Sequence, residues 1–253
     1  MVRMPTLRGI IDRRILVNFR IEADALREVL PAPFEPRTVD GYAIGGICLL
    51  RLTKVRPRGL PAAVGIRSEN AAHRIGMHWD DGGERRDGVF VPRRDTDSRL
   101  TALVADRSFG NHHHAEFTVR EGDGRYEVAV QSRDDDVSMH VTAERATDLP
   151  ESSIFDSVGD ASEYHRRGAT GYSPSPDGSR FDGIELATDE WAVTPLSVES
   201  VGASYFESDR FPADAVTFDN ALLMENIGHE WHSVDGICPS PDAYSSSKGN
   251  SIS

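Results

Sequence analysis

The amino-acid sequence predicts a single α+β domain built mostly from short β-strands, of the barrel or sandwich type. Many short segments alternate apolar and polar residues or are rich in β-branched residues, and turn signals separate them. Only two or three segments have helical spacing. No long linker divides the 253 residues, so we expect one domain over residues 1–235 and a disordered Ser-rich tail over 236–253.

The predicted strands are separated by recognisable turns. Asp40-Gly41 marks the turn before the second strand, and Gly45-Gly46 inside that strand indicates a bend or a bulge. Residues 121–124 (EGDG) predict a hairpin turn. The predicted strands cover residues 13–22, 42–56, 66–79, 88–94, 112–120, 125–133, 137–143, 183–188, 192–202 and 222–231.

Three short helices are predicted between these strands. The first covers residues 24–30, where Asp24 is positioned as an N-cap and Pro31 ends the helix. The second is capped within residues 95–98 and runs to Arg107. The third covers residues 161–167 and ends at Gly168.

Charge and basic-residue usage limit the classes of function. Asp and Glu outnumber Lys and Arg by 41 to 28, which gives a formal net charge of −13 at pH 7. Such a surface repels polyanions, so the sequence predicts no nucleic-acid partner. Lys54 and Lys248 are the only lysines, which leaves few positions for an amine that forms a Schiff base. An arginine-biased coding sequence and adaptation to a salt-rich (halophilic) cytoplasm both explain this acidic, lysine-poor composition.

Cysteine usage and hydropathy predict a cytoplasmic protein without a membrane partner. Cys48 lies in an apolar run and Cys238 lies near the tail, so we expect no disulfide framework and a reducing compartment. Charges interrupt every N-terminal apolar stretch, and no apolar run is long enough to span a bilayer. No Gly-rich phosphate loop follows a strand, so nucleotide cofactors are not indicated. The oligomeric state stays open, a homo-oligomer included.

Glu69 and His73 are the candidate catalytic residues. They share one face of the strand 66–79 with Ile75, Met77 and Trp79. Because the other three residues are apolar, we expect this face to point inward, where a carboxylate near an imidazole forms a general acid/base pair. If the face meets solvent instead, both are ordinary surface residues.

Two other groups are candidates for ligand binding. A guanidinium of Arg93 or Arg94 is suited to hold a substrate carboxylate, and the alternative is a solvated pair that binds the nearby aspartates. His112 and His114 share a strand face, so they form either half of a divalent-metal site or a polar strand end. We expect no metal, because no second ligand pair with matching spacing is present. No Ser, His and Asp set surrounds a nucleophile elbow, so a hydrolase triad is not supported.

Four segments, in their order and spacing, carry a resemblance to a known family. They are 26–31 with the turn 40–43 (DGYA), 49–61 (LLRLTKVRPRGLP), the strand of Glu69 with 88–91 (GVFV) beyond it, and 165–172 (HRRGATGY) before 191–193 (WAV). Over residues 10–235 the chain resembles the uncharacterised family DUF2071, which belongs with the acetoacetate decarboxylase-like proteins. The resemblance implies a curved, largely antiparallel β-barrel or cone with outer helices and a central small-molecule cavity. It also adds Tyr172 to the candidate ligand-binding residues.

The departures from that resemblance carry an expectation about mechanism. Acetoacetate decarboxylases have a Pro-Lys-Lys stretch whose first lysine forms the Schiff base, and the matching residues 92–94 here are PRR. Of the family's Glu-x-Asn-x-Arg strand only Glu69 is kept, and Lys54 lies at an arginine-rich loop edge. We therefore expect a cofactor-free protein that binds a small anionic or carbonyl compound without Schiff-base chemistry, with Arg93 as the anion anchor. The rival interpretation is a lyase or hydrolase that uses Glu69 and His73 as acid and base.

Overall fold

Long β-strands dominate the structure, a computed structural model that describes residues 5–98, 112–134 and 136–239. Two α-helices, α1 (Ala23–Val29) and α2 (Val158–Arg167), and a 3-10 helix (Ala62–Val64) lie within these ranges. The strands in the same ranges are β1 (Leu7–Glu22), β2 (Glu35–Pro36), β3 (Thr38–Val39), β4 (Tyr42–Pro57), β5 (Ile66–Asp81), β6 (Glu84–Thr96), β7 (His112–Gly122), β8 (Arg125–Ser132), β9 (Ser138–Arg145), β10 (Thr170–Pro174), β11 (Phe181–Thr188), β12 (Thr194–Ala203) and β13 (Val216–Ile237).

The strands form one curved sheet that closes on itself twice. The strands β13, β1, β4, β5 and β6 pair in this order and form a wall that both closures share. One ring closes from β6 through β10 and β11 to β13, and the other closes from β6 through β7, β8, β9 and β12 to β13. All pairings are antiparallel except those of β6 with β7 and with β10. The predicted fold class, α+β and mostly β with a curved sheet, is confirmed.

The shared wall is buried on both faces. On β1, Ile15 and Val17 belong to one apolar core, whereas Ile11 and Leu16 belong to a second core on the other face. The first core includes side chains from β7, β8, β9 and β12, and the second is covered by α2 through Tyr164. Strands that are buried on both faces show continuous apolar runs instead of alternation. This explains the apolar run of residues 44–52 in β4.

Most predicted elements are present, and most have longer bounds than predicted. The predicted strand at 222–231 is the middle of the 22-residue strand β13, so the predicted domain end at 235 lies inside a strand. The short strand β10 after α2 has no counterpart among the predicted strands. Asp95 and Thr96, within the predicted cap of the second helix, lie in β6. The rest of that predicted helix, 99–107, and the tail from residue 240 onward lie outside the described residues.

Of the bend or bulge predicted at Gly45-Gly46, the bulge is absent. Its pairing with β1 and β5 is continuous at both glycines, and the register shift lies between Leu52 and Val55. A Cβ on Gly46 would lie 2.2 Å from the carbonyl oxygen of Val17, so the glycine allows close approach of β1.

The first helix starts one residue earlier than predicted. Glu22 is the N-cap and makes no side-chain cap bond, whereas Asp24 lies in the first turn and binds Arg27. An acidic residue there still interacts favourably with the helix dipole. Within the described ranges, no helix is long and apolar enough to cross a membrane.

Candidate ligand-binding site

The ring that contains β10 and β11 encloses a cavity of about 1120 Å³. Each of its seven strands contributes to the lining. This volume is slightly above the usual range of small-molecule sites, about 300–1,000 Å³. Most of the lining is apolar, and it includes Leu50, Leu52, Val89, Val91, Ile184, Leu186 and Trp231.

A bulge in β6 decides which arginine of residues 92–94 faces this cavity. The register between β5 and β6 shifts where Val91 and Pro92 together stand opposite Arg74. Proline has no N–H to give to a ladder, so it suits such an interruption. After the bulge, Arg94 stands opposite Ala72 and lines the cavity.

The guanidinium of Arg94 has no carboxylate partner in the described part of the chain. It donates a hydrogen bond to the hydroxyl oxygen of Ser173, and that hydroxyl donates to the carbonyl oxygen of Val91 at 2.8 Å. Burial, with no opposing contribution, lowers the pKa of Arg94 to about 10. A buried cation without a counter-ion is unfavourable, so this position favours the arrival of an anion.

Arg74 is a second cavity-lining arginine without a carboxylate partner among the described residues. It donates to the side-chain oxygen of Asn18 and lies 3.2 Å from Nδ1 of His165, measured from Nη1. Burial, followed by the charge of Arg74, lowers the pKa of His165 well below its ordinary value, so this acceptor is neutral. Burial also lowers the pKa of Arg74 to about 10.

Arg14, on β1, is a further cavity-lining arginine. Its Nε donates to Sγ of Cys48 at 3.1 Å, and its Nη1 lies 3.7 Å from Sδ of Met224. The guanidinium lies 5.4 Å from the ring centroid of Trp191, a cation–π contact. None of these partners is a carboxylate. We call Arg14, Arg74 and Arg94 the arginine cluster.

The carboxylates that reach the lining are engaged by other groups. Asp95 binds Arg93, and Asp182 accepts from Nε of Arg180 at 2.7 Å. Asp177 accepts hydrogen bonds within its own turn. The arginine cluster therefore makes one region of the cavity electropositive, although the whole chain is acidic.

Glu69 points inward, as predicted, but it belongs to an ion-pair network on the other face of the wall. Arg13 contacts Glu69 at 2.6 Å, and Arg51 contacts Glu69 at 2.5 Å and Glu121 at 2.6 Å. An ion pair between Arg13 and Glu121 closes the network. Burial acts to raise the pKa of Glu121, but the hydrogen bonds from Arg13 and Arg51 outweigh it and the net pKa is lowered. Such a network holds charge in place and is not arranged to transfer protons.

His73 also points inward and is 2% exposed. Its ring centroid lies 4.8 Å from that of Tyr205, and neither ring nitrogen has a hydrogen-bond partner among the described residues. Burial, followed by the charges of Arg93 and Arg210, lowers its pKa to about 3. The structure thus places Glu69 and His73 on one buried face but does not join them by a hydrogen bond, and neither lines the cavity.

Arg93 points away from the cavity, although it adjoins Arg94 in sequence. Its Nη2 lies 2.9 Å from Asp95 and 2.8 Å from Asp134. Burial acts to lower the pKa of Arg93, but the hydrogen bonds to both aspartates outweigh it and the net pKa is raised. The sequence left two alternatives for these arginines, binding the nearby aspartates or holding a substrate carboxylate. Arg93 binds the aspartates, whereas the guanidinium of Arg94 is available to a ligand.

The two candidate histidines of β7 lie in different surroundings. His112 stands opposite Arg94 and lines the cavity. His114 stands opposite Thr96, is partly buried, and is not part of the lining. Over the described ranges, no three His, Cys, Asp or Glu side chains are grouped so that they could hold a metal ion.

Tyr172 lies outside the main cavity, at the edge of a shallow depression of about 460 Å³. Its ring packs edge-on against Trp79 at 5.1 Å, and its hydroxyl donates to the carbonyl oxygen of Asp235 at 3.4 Å. Its neighbour in sequence, Gly171, lines the main cavity.

Sequence reasoning missed Arg14, Arg74 and Cys48 as lining residues. Each lies on a strand that was predicted, and Arg74 lies on the face of β5 opposite to the one that carries Glu69 and His73. Arg74 alternates with His73 along β5, so an inward His73 predicts an outward Arg74. The apolar run of β4 could have indicated these lining residues. A strand with a continuous apolar run is buried on both faces, so the protein has a second interior region on the other face of the sheet.

Comparison with known proteins identifies the family of the chain. The model of DUF2071, described as an uncharacterised conserved protein, matches residues 11–225. The chain belongs to the DUF2071 family. No curated protein matches its sequence.

Solved structures similar to this DUF2071 protein share its fold at low sequence identity. An acetoacetate decarboxylase from Legionella pneumophila is 11% identical with a TM-score of 0.58, and the match covers 93% of this chain and 90% of that one. The enduracididine biosynthesis enzyme MppR, complexed with pyruvate, is 13% identical with a TM-score of 0.56 over 95% and 92% of the two chains. An acetoacetate decarboxylase-like enzyme from Sphingomonas wittichii RW1 is 10% identical with a TM-score of 0.54 over 93% and 92%.

The DUF2071 protein has no lysine in the described lining of its cavity. Lys54 is exposed and occupies a left-handed position, with a φ of 54°, at the register shift of β4. Lys248 lies outside the described residues. The expected absence of Schiff-base chemistry therefore stays a prediction, which borohydride reduction tests.

Proposed function

We propose that this DUF2071 protein binds a small organic carboxylate in the cavity, and that Arg94 is the residue that pairs with the carboxylate. The arginine cluster carries this proposal, since its three guanidinium groups line the cavity and have no carboxylate partner among the described residues. A guanidinium presents parallel N–H groups that match the two oxygens of a carboxylate. A buried guanidinium without a counter-ion is unfavourable, and a bound anion would supply that counter-ion.

The fold neighbours support a small-molecule ligand. One of them, MppR, was solved with pyruvate, which is a small carboxylate. At 13% identity this likeness concerns the fold, so the position of the ligand here is argued from the arginines of this chain alone.

Reversible binding without a covalent intermediate is the proposed activity. Of the two arginines that match the lysines of the decarboxylase stretch, Arg93 matches the Schiff-base lysine and points away from the cavity, whereas Arg94 lines it. Both stay protonated and are not nucleophiles. Glu69 and His73 lie behind the wall and away from the cavity, so no observation favours the acid/base lyase or hydrolase as a second candidate function.

Isothermal titration calorimetry tests the proposal with pyruvate and acetoacetate, each compared with its neutral amide. We expect the carboxylates to bind and the amides to bind much more weakly. Arg94→Gln should weaken carboxylate binding about 10- to 150-fold, because a hydrogen bond to a charged group is worth about 1.5–3 kcal/mol.

Arg120→Gln is the matched control, because it removes one positive charge at a side chain that is 78% exposed and remote from the lining. It should leave binding unchanged, and thermal melts should show both variants folded. Equal affinities of the two folded variants for pyruvate would show that Arg94 is not the anchor.

A further inference from the structure

The cavity continues from the arginine cluster into an apolar trough. Cys48, Leu50, Leu52 and Val55 line it in succession along β4. The first three side chains are 4%, 8% and 4% exposed, so this part is deep inside the fold. A small keto acid would not fill the trough, so its apolar side chains would stay in contact with water, which is unfavourable.

The trough ends at a group of exposed apolar side chains, Leu60, Val64 and Ile66, which we call the apolar rim. They are 49%, 57% and 39% exposed, and all three line the cavity. Large exposed apolar side chains that cluster at the mouth of a cavity mark a surface that a ligand or a partner covers.

Strand register places the arginine cluster at the deep end, far from the rim. Arg94 stands opposite Ala72, and Ala72 stands opposite Cys48. Arg14 stands opposite Leu50 on the neighbouring strand. The arginine cluster and the apolar rim are therefore separated along the direction of β4, whereas Arg56, which also lines the cavity, lies beside the rim and donates to the carbonyl oxygen of Leu60 at 2.9 Å.

This separation sets the length of the ligand. Val55 lies seven residues after Cys48 along β4, which corresponds to roughly 20 Å. An extended alkyl chain needs about three bonds to cover the length of one extended residue, so a chain of about 16 to 20 carbons spans the trough and a ten-carbon chain covers about half of it.

We propose that the ligand is an amphipathic carboxylate, whose head pairs with the arginine cluster and whose hydrocarbon tail lies along β4 toward the apolar rim. This inference rests on the proposed function for the head group and adds the tail. Charge complementarity at one end and apolar surface at the other single out this class over a small keto acid or a neutral lipid.

The test is a series of straight-chain carboxylates from butanoate to decanoate, titrated into the protein by calorimetry below their aggregation limits. The dissociation constant should fall by up to about fourfold for each added methylene, equivalent to about 0.8 kcal/mol per buried CH₂. Decanol and decyltrimethylammonium, which have the same tail without an anionic head, should bind far more weakly than decanoate.

Two variants test the contribution of the carboxylate head and that of the hydrocarbon tail independently. Arg94→Gln should weaken every carboxylate by the same factor, whereas Val64→Asp should weaken hexadecanoate, whose chain is long enough to reach the rim, about tenfold or more and leave butanoate unchanged. Tyr42→Asp is the control for Val64→Asp, because Tyr42 is 40% exposed and does not line the cavity.

The outcomes distinguish the two proposals. If affinity does not depend on tail length while Arg94→Gln still weakens binding, the carboxylate function stands and the amphipathic ligand is excluded. If decanol binds as tightly as decanoate, the head-group assignment fails and both proposals fall. If Val64→Asp changes only the molar mass measured by light scattering, the rim is a contact between copies and the tail assignment is wrong.

Discussion

Three buried histidines should make the protein lose stability in mild acid, before most carboxylates titrate. His73, His165 and His229 are 2%, 5% and 3% exposed. Burial, followed by the charges of nearby arginines, lowers the pKa of His73 to about 3, that of His229 to about 4, and that of His165 well below its ordinary value. In the unfolded chain each of these groups has a pKa of about 6.5.

The sign and size of the effect follow from proton linkage. Below pH 6.5 the unfolded chain takes up protons that the folded chain does not, so stability present above that pH is lost as the pH falls toward the folded pKa values. Between pH 7.5 and pH 5 this loss is about 2 kcal/mol for one such histidine and about 6 kcal/mol for three. Domains have total stabilities of about 5–15 kcal/mol, so the change is large.

Urea unfolding at several pH values from 7.5 to 5, followed by tryptophan fluorescence, measures this loss. His73→Phe keeps a ring against Tyr205 and removes one titrating group, so it should reduce the loss by about a third. His140→Gln is the control, since His140 is exposed and should leave the pH dependence unchanged. If the unfolding free energies of the wild type and His73→Phe stay parallel over this range, the buried neutral histidine is refuted.

Further predictions concern the cavity thiol, the lysines and the ion-pair network. Cys48 lines the electropositive region, so the ratio of its alkylation rates with anionic iodoacetate and neutral iodoacetamide should exceed the same ratio at exposed Cys238, measured by mass spectrometry of both peptides in one sample. Borohydride reduction with acetoacetate should leave the protein mass unchanged, and a reduced adduct on Lys54 would contradict the absence of Schiff-base chemistry. Glu69→Gln should lower the unfolding free energy by about 3 kcal/mol in urea titrations, because it removes one partner of buried arginines. Glu144→Gln, at a side chain that is 61% exposed, should change it by less than about 1 kcal/mol.

The sequence predicts the elements and one face of the wall well, because these depend on local periodicity. The apolar residues Ile75, Met77 and Trp79 share a face with Glu69 and His73, and all five are buried in the structure. Hairpins also follow from local signals, as the turn between β7 and β8 shows. These features require only that each segment places its apolar side chains on one side.

The cavity depends on pairings between distant parts of the chain, which periodicity does not contain. The second interior forms only because β10 and β11 close the ring between β6 and β13. The orientation of Arg94 depends on the bulge at Val91 and Pro92, which reverses the alternation of β6 relative to β5. One extra residue in a strand changes which side chains face the interior, and a count along the sequence does not reveal where it falls.

Two consecutive arginines with the same chemistry acquire opposite roles from their surroundings. Arg93 is neutralised by Asp95 and Asp134, so its charge is already used within the fold. Arg94 carries the same charge into an apolar cavity, where it donates to the hydroxyl of Ser173. A guanidinium with a pKa of about 10 keeps its proton at neutral pH, so Arg94 attracts a carboxylate but is not a nucleophile. The two neighbouring arginines therefore differ in what surrounds them, and the charge that faces the cavity is the one that no described carboxylate neutralises.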